Sequence, residues 1–235
     1  MRQMYISLDD VKGIFKALIS EKYNSIFETR TLNFLRAMHE LYGVEVYLFC
    51  TYKDGKFSLE NVSDRYMEEF RKNLYWLKFG FHCYQEKSLY SKSDEADFLY
   101  YFDRFYEQIR RITGQEKVVD ALRIHGFWGN ETICKYLREN GVTSLFTADD
   151  DRKSYYLNQE AEEILRNKGI FYDVKQDLKF IRSVTRLENS VDIIAEVKGK
   201  QNAGWSTISL FTHEWLMDNE EVRKKFELCC QLERK

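Results

Sequence analysis

Two adjacent carboxylates, Asp9-Asp10, follow the short apolar run Met4-Tyr5-Ile6-Ser7-Leu8, and similar arrangements recur along the chain. His82 follows Leu77-Lys78-Phe79-Gly80-Phe81, and His125 follows Ala121-Leu122-Arg123-Ile124. Asp149-Asp150-Asp151 comes after the run 143–147, and His213 after 207–211. Each run reads as a β-strand, and three of the four histidines stand at such strand ends. Carboxylates and imidazoles ligate divalent cations and move protons near neutral pH. In a barrel or open sheet of parallel strands, the C-terminal ends converge on one face, so groups far apart in sequence can meet there.

Each cluster has a chemical and a structural reading. In the Asp9-Asp10 pair, one carboxylate can ligate a metal while its neighbour takes a proton. Equally, aspartate at this point can cap a helix over residues 11–20. His82 and Glu86 are four residues apart and project to one side of a helical turn, as two metal ligands must. A lone strand-end histidine can also be a hydrogen-bonded packing residue. Histidine with aspartate or glutamate suits zinc, manganese, cobalt or iron, so these residue types alone do not name the metal; a divalent ion is expected, with zinc the first choice. His125-Gly126-Phe127-Trp128-Gly129 reads as a loop that brings Trp128 against a sugar ring, or as a hydrophobic cap on the barrel. Asp149-Asp150-Asp151 is a solvated turn and helix cap, or supplies one acid to His125 or an arginine. His213, beside Glu214 and Trp215, suits a general acid. His39 lies in a helix pattern and reads as a surface or packing residue.

The elements that must position these groups alternate. Helical spacing over 11–20 and 29–41 is followed by a strand at 44–50 and a turn at Lys53-Asp54-Gly55-Lys56. A helix from Ser63 hands over to the His82 strand, and an aromatic helix spans 94–113. Helices at 130–139 and 155–167 flank the strand at 143–147. Strand-like runs then occupy 170–174, 179–186, 191–197 and 207–211, before a terminal amphipathic helix over 218–234. This alternation predicts an α/β fold with mostly parallel strands. No Gly-rich nucleotide loop follows the first strand, which favours an irregular (β/α) barrel over a doubly wound sheet.

The bulk numbers agree with one domain over residues 1–235, since no linker, repeat or composition shift divides the chain. Its 36 basic and 38 acidic residues leave a net charge of −2, so nucleic acid is not an expected partner. No run approaches the roughly 18 apolar residues of a membrane span, and no apolar signal segment precedes the first strand, so a cytoplasmic location is expected. The five cysteines form no CxxC pair, which argues against a zinc ribbon or a disulfide framework. The oligomeric state is not legible.

The order of these motifs resembles the polysaccharide deacetylase (NodB-homology) family, whose fold is a distorted (β/α) barrel. Ser7-Leu8-Asp9-Asp10 resembles the opening motif, which implies Asp9 as catalytic base and Asp10 as metal ligand. His82 matches the first histidine of the second motif, with Glu86 where the second histidine stands. His125-Gly126-Phe127-Trp128-Gly129 occupies the third, with histidine in place of arginine. Residues 141–150 resemble the fourth in layout, with Asp149 or Asp150 as the orienting acid, and Leu210 to His213 matches the fifth, which implies His213 as general acid. The resemblance implies a metal-dependent hydrolase removing acetyl groups from an N-acetylated carbohydrate. Asp10, His82 and Glu86 would hold the ion, and His125, Trp128 and Asp150 would contact or orient the substrate. The alternative is a catalytically degraded protein of this fold that binds a sugar or a protein partner.

Overall fold

The computed structural model describes residues 3–20, 22–85 and 95–233. In chain order the elements are β1 (Gln3–Val11), α1 (Gly13–Ile19), α2 (Arg30–Tyr42), β2 (Val46–Thr51), the hairpin β3 (Lys53–Asp54) and β4 (Phe57–Ser58), α3 (Met67–Asn73) and β5 (Leu77–Cys83). They continue with α4 (Glu95–Thr113), β6 (Ala121–Leu122), α5 (Glu131–Glu139), β7 (Ser144–Thr147), α6 (Gln159–Lys168) and β8 (Ile170–Asp173). The last are β9 (Leu178–Arg186), α7 (Ile193–Asn202), β10 (Thr207–His213) and α8 (Glu220–Glu233).

Seven parallel strands in the order β5-β2-β1-β10-β9-β7-β6 curl into a nearly closed distorted (β/α) barrel with helices outside it. β8 pairs antiparallel with β9 and lies off this path. The seam falls between β5 and β6. There the Gln115 side chain substitutes for a neighbouring strand: Phe79 N–H donates to its Oε1 at 3.0 Å, and its Nε2 donates to the Phe79 carbonyl at 2.8 Å. A sheet edge left bare in a buried place would strand these groups unsatisfied. Gly80 is required beside this seam, because a Cβ there would stand 2.6 Å from Leu122 and 2.9 Å from the Phe49 ring.

Aromatic rings fill the lower barrel. Tyr5, Tyr47 and Phe146 pack edge to face, with Tyr5 and Phe146 centroids 5.1 Å apart. Above them the filling becomes polar, with the buried serines Ser7, Ser183 and Ser209 surrounding the guanidinium of Arg123. In (β/α) barrels the C-terminal ends of the strands are the face on which sites are built.

Some local expectations are corrected. Residues 191–197 are not a strand: Asp192 accepts from Ala195 N–H as a helix cap, and α7 buries Ile193 and Val197 four residues apart. The branched side chains favour a strand in isolation, but the cap and the 3.6-residue spacing prevail. Likewise α6 starts at Gln159 rather than at Tyr155, because Asn158 supplies its cap.

Candidate metal and acid–base centre

β1 does not end as a regular strand. Leu8 pairs with Leu48 and Val11 with Cys50, so two residues of β1, Asp9 and Asp10, oppose the single residue Phe49 of β2. Asp10 sits within this bulge with φ of 55°, a left-handed conformation that aspartate tolerates better than most residues. In a regular strand Asp9 and Asp10 would point to opposite faces. The bulge instead lets both reach the barrel mouth, Asp9 toward Arg123 and Asp10 toward the histidines. The helix-cap reading of this pair does not describe the structure, since α1 begins after Lys12 and no side chain of that cap position bonds it. The carboxylate that caps α1 is that of Glu214, which accepts from the N–H groups of Lys12 (2.8 Å), Gly13 (2.5 Å) and Ile14 (2.7 Å). This fastens the chain directly after Asp10.

Asp10 Oδ1 lies 3.4 Å from His82 Nε2 and 3.8 Å from His125 Nδ1, and these two nitrogens are 3.4 Å apart. His82 Nδ1 is 2.7 Å from the Arg123 carbonyl, which can only accept. In the neutral ring Nδ1 therefore carries the proton, and Nε2 presents its lone pair to the cluster. His125 reaches the same point because Gly126 and Phe127 both adopt positive φ, of 64° and 55°, turning the chain sharply after β6.

The charges are mutually adjusted. Burial disfavours the Asp10 carboxylate, but contact with His82 and the fields of His82, His213 and His125 outweigh it and bring its pKa to about 2. Burial, then the neighbouring His82, lowers His125 to about 4, so it is neutral at pH 7. Burial also opposes a charge on His82, yet the two aspartates and the Arg123 carbonyl raise its pKa overall.

Two nearby arrangements complete the site. Arg123 is fully buried and donates to Asp9 Oδ1 at 2.9 Å, Ser7 at 2.7 Å, Ser183 at 3.1 Å and Ser209 at 3.2 Å. Its guanidinium lies 4.0 Å from the Phe211 ring centroid, a cation–π contact. On the other side, His213 Nδ1 donates to Glu188 Oε1 at 2.7 Å, and Thr212 holds Oε2 at 2.8 Å. His213 Nε2 is then directed toward Asp10 Oδ2, 4.0 Å away. Burial lowers the His213 pKa, but the Glu188 hydrogen bond and the neighbouring carboxylates raise it overall.

Among the residues singled out from sequence, Asp9, Asp10, His82, His125 and His213 thus meet at one mouth. His125 stands within the His/Asp group rather than beside it. Glu86 lies outside the described residues. Asp149 pairs with Arg186 at 3.0 Å and Asp150 with Arg152, and the acid that holds His213 is Glu188. Trp128 is half-buried and tilted against Phe98. His39 packs flat on Trp76, with centroids 4.6 Å apart. Arg123 and Glu188 were not among the expected site residues. A signal for Arg123 existed: it is the one charged residue in the otherwise apolar run Ala121-Leu122-Arg123-Ile124.

The group Asp10, His82 and His125 fits a divalent cation on its own geometry. Asp10 Oδ1 is buried without a hydrogen-bond partner, and two imidazole nitrogens face it. Two histidines and one carboxylate are the donor set of catalytic zinc sites that keep a position open.

No protein-family model matches the sequence, and no curated protein matches it. Solved structures do. The candidate polysaccharide deacetylase of Mycobacterium smegmatis superposes with a TM-score of 0.57 at 13% identity, over 97% of this chain and 84% of that one. The Xyl-CE4 domain of a multidomain xylanase from the hindgut metagenome of Trinervitermes trinervoides gives 0.47 at 12% identity, over 99% and 82%. A CE4-family pseudoenzyme from Bacillus anthracis gives 0.45 at 9% identity, over 100% and 62%. The fold is therefore that of the polysaccharide deacetylases, in a chain of strongly diverged sequence.

Proposed function

We propose that the protein is a metal-dependent hydrolase that removes acetyl groups from an N-acetylated carbohydrate. The observation that carries this reading is the convergence of Asp10, His82 and His125 between a clamped carboxylate, Asp9, and an acid-paired imidazole, His213. The residues that would hold the ion are Asp10, His82 and His125, with zinc favoured by the donor set. When bound, a divalent ion polarises a carbonyl oxygen and makes water a better nucleophile at neutral pH.

The chain's own groups divide the remaining work. Arg123 holds Asp9 Oδ1, which fixes the carboxylate that takes the proton from the attacking water. The water oxygen bonds to the acetyl carbon, and the C–N bond breaks as His213 Nε2 delivers a proton to the departing nitrogen. Glu188 fixes His213 with Nδ1 protonated and Nε2 facing the mouth, and favours the charged ring that must donate. The products are acetate and a free amino sugar. The reading is in keeping with the barrel shared with the Mycobacterium smegmatis structure, which is named as a polysaccharide deacetylase.

The direct test is acetate release from N-acetylated oligosaccharides before and after chelation, with zinc restored afterwards. Release that stops on chelation and returns with zinc is expected. Release indifferent to the chelator would remove the metal from the reading, and bound zinc without acetate from any such sugar would favour a binding protein.

Glu188→Gln supplies a pH test. A general acid works only while protonated, so activity falls as pH rises through its pKa. Glu188 raises that pKa, and the glutamine variant should therefore move the alkaline limb of kcat/KM to lower pH. An unmoved limb would remove His213 from the acid role.

A further inference from the structure

Helix α1 is capped from the far end of the chain rather than by its own neighbour. α5 and α6 take their caps from Asn130 and Asn158, the residues directly before them. At α1 that position is Lys12, whose side chain makes no capping bond. The acceptor is the carboxylate of Glu214, 202 positions from Lys12 and only 6% exposed. Gly13 makes the approach possible. A Cβ there would stand 3.0 Å from both carboxylate oxygens, and its three nearest atoms would all belong to Glu214.

The place of this contact matters for the site. The ladder between β1 and β10 ends at the pair Asp9–His213, and the next residues on the two strands are Asp10 and Glu214. The bonds from Lys12, Gly13 and Ile14 to Glu214 carry the join past the end of the ladder. Asp10 is thereby bracketed, by the paired Asp9 on one side and the anchored Lys12 on the other. Its φ of 55° is an unfavourable conformation, and such a backbone persists only where its surroundings hold it. Released, the segment would relax toward regular strand, which sends neighbouring side chains to opposite faces and would turn Asp10 away from His82 and His125.

We infer that Glu214 is the positioning residue for Asp10: its carboxylate, seated on the start of α1, keeps the bulge in β1 wound so that Asp10 meets the two imidazoles. The inference rests on the reading of Asp10 as a metal ligand. Glu214 acts through the backbone and is not a catalytic residue.

The test measures the zinc dissociation constant by competition with a chromophoric chelator. Glu214→Gln sets an NH2 group against backbone donors and should weaken zinc binding about tenfold or more, the scale of changes behind a ligand. Gly13→Ala separates positioning from helix stability. Alanine is the better helix former, so a merely structural glycine would leave zinc affinity unchanged. Its methyl group instead displaces the carboxylate, and zinc binding should weaken here too. Asn158→Ala removes the cap of α6 and should leave the affinity at the wild-type value. Unchanged affinity in Glu214→Gln or in Gly13→Ala overturns the inference, and so does equal weakening in Asn158→Ala. If Glu214→Gln does not fold, Gly13→Ala decides alone. Zinc bound by the wild type and weakened in both variants, with no acetate released, leaves Glu214 its role while the hydrolase reading falls. Acetate release with zinc affinity indifferent to Glu214 does the reverse.

Discussion

Asp10→Asn is expected to lose the bound divalent ion, and with it acetate release, while leaving the barrel intact. Asparagine has the same shape and tolerates the left-handed backbone that Asp10 adopts at φ 55°, so the bulge in β1 should survive. What disappears is the charge on an oxygen that faces two imidazole nitrogens and has no hydrogen-bond partner of its own. Removing a direct ligand should cost more than the roughly 10–100-fold loss of metal affinity that changes behind a ligand produce. Elemental analysis after dialysis against trace zinc is the measurement, with about one ion per wild-type chain expected. His82→Ala should behave alike. Asp10→Ala should add about 1 kcal/mol of destabilisation, because alanine lacks the aspartate's tolerance of this conformation. Full occupancy in Asp10→Asn would place the ion elsewhere.

Arg123→Met is expected to produce the largest loss of stability of any single change at the site, about 3–5 kcal/mol. The guanidinium is buried at 0% exposure and pairs with Asp9, whose own exposure is 3%. Methionine fills much of the volume but leaves that carboxylate buried without its counter-charge, and three serine hydroxyls without their donor. For a chain of this length the loss should lower Tm by roughly 10 °C. Adding Asp9→Asn should recover part of it, since the stranded charge is then gone. Arg123→Lys should fall between, because one ammonium cannot span the same four partners. A melting temperature within about 1–2 °C of wild type in Arg123→Met would show that the pair contributes little.

The two changes separate what the site needs from what the barrel needs. Asp10 faces the mouth and is free of structural duties beyond its backbone. Arg123 belongs to both, since its carbonyl orients His82 while its guanidinium clamps Asp9. Loss of activity in Arg123 variants therefore carries information only beside their stability, whereas Asp10→Asn can be read on activity and metal content directly.

Much of this architecture is determined locally, and the sequence alone carries it. Apolar runs leading to Asp10, His82 and His213 are strands because branched and aromatic residues cluster there, the shorter run before His125 contributes the two residues of β6, and parallel strands must gather their ends on one face. The caps at Asn130 and the left-handed glycines at Gly43 and Gly169 likewise sit where short-range chemistry demands them. Contacts between distant segments were not legible, because nothing in a linear pattern states which side chain another will meet. Glu188 was visible as a loop residue, but its bond to His213 depends on β9 lying beside β10. His125 looked like a substrate contact until the turn at Gly126 and Phe127 swung it against His82. Arg123 could be noticed as an oddity in an apolar strand, yet its role required Ser7, Asp9, Ser183 and Ser209 to close around it from three other strands. The same holds for the aspartate pair. Strand alternation sends neighbours to opposite faces, and only the bulge formed against β2 lets Asp9 and Asp10 serve one site. Element type follows from each segment's own periodicity, but the direction of a side chain at a strand end follows from the register of its neighbours.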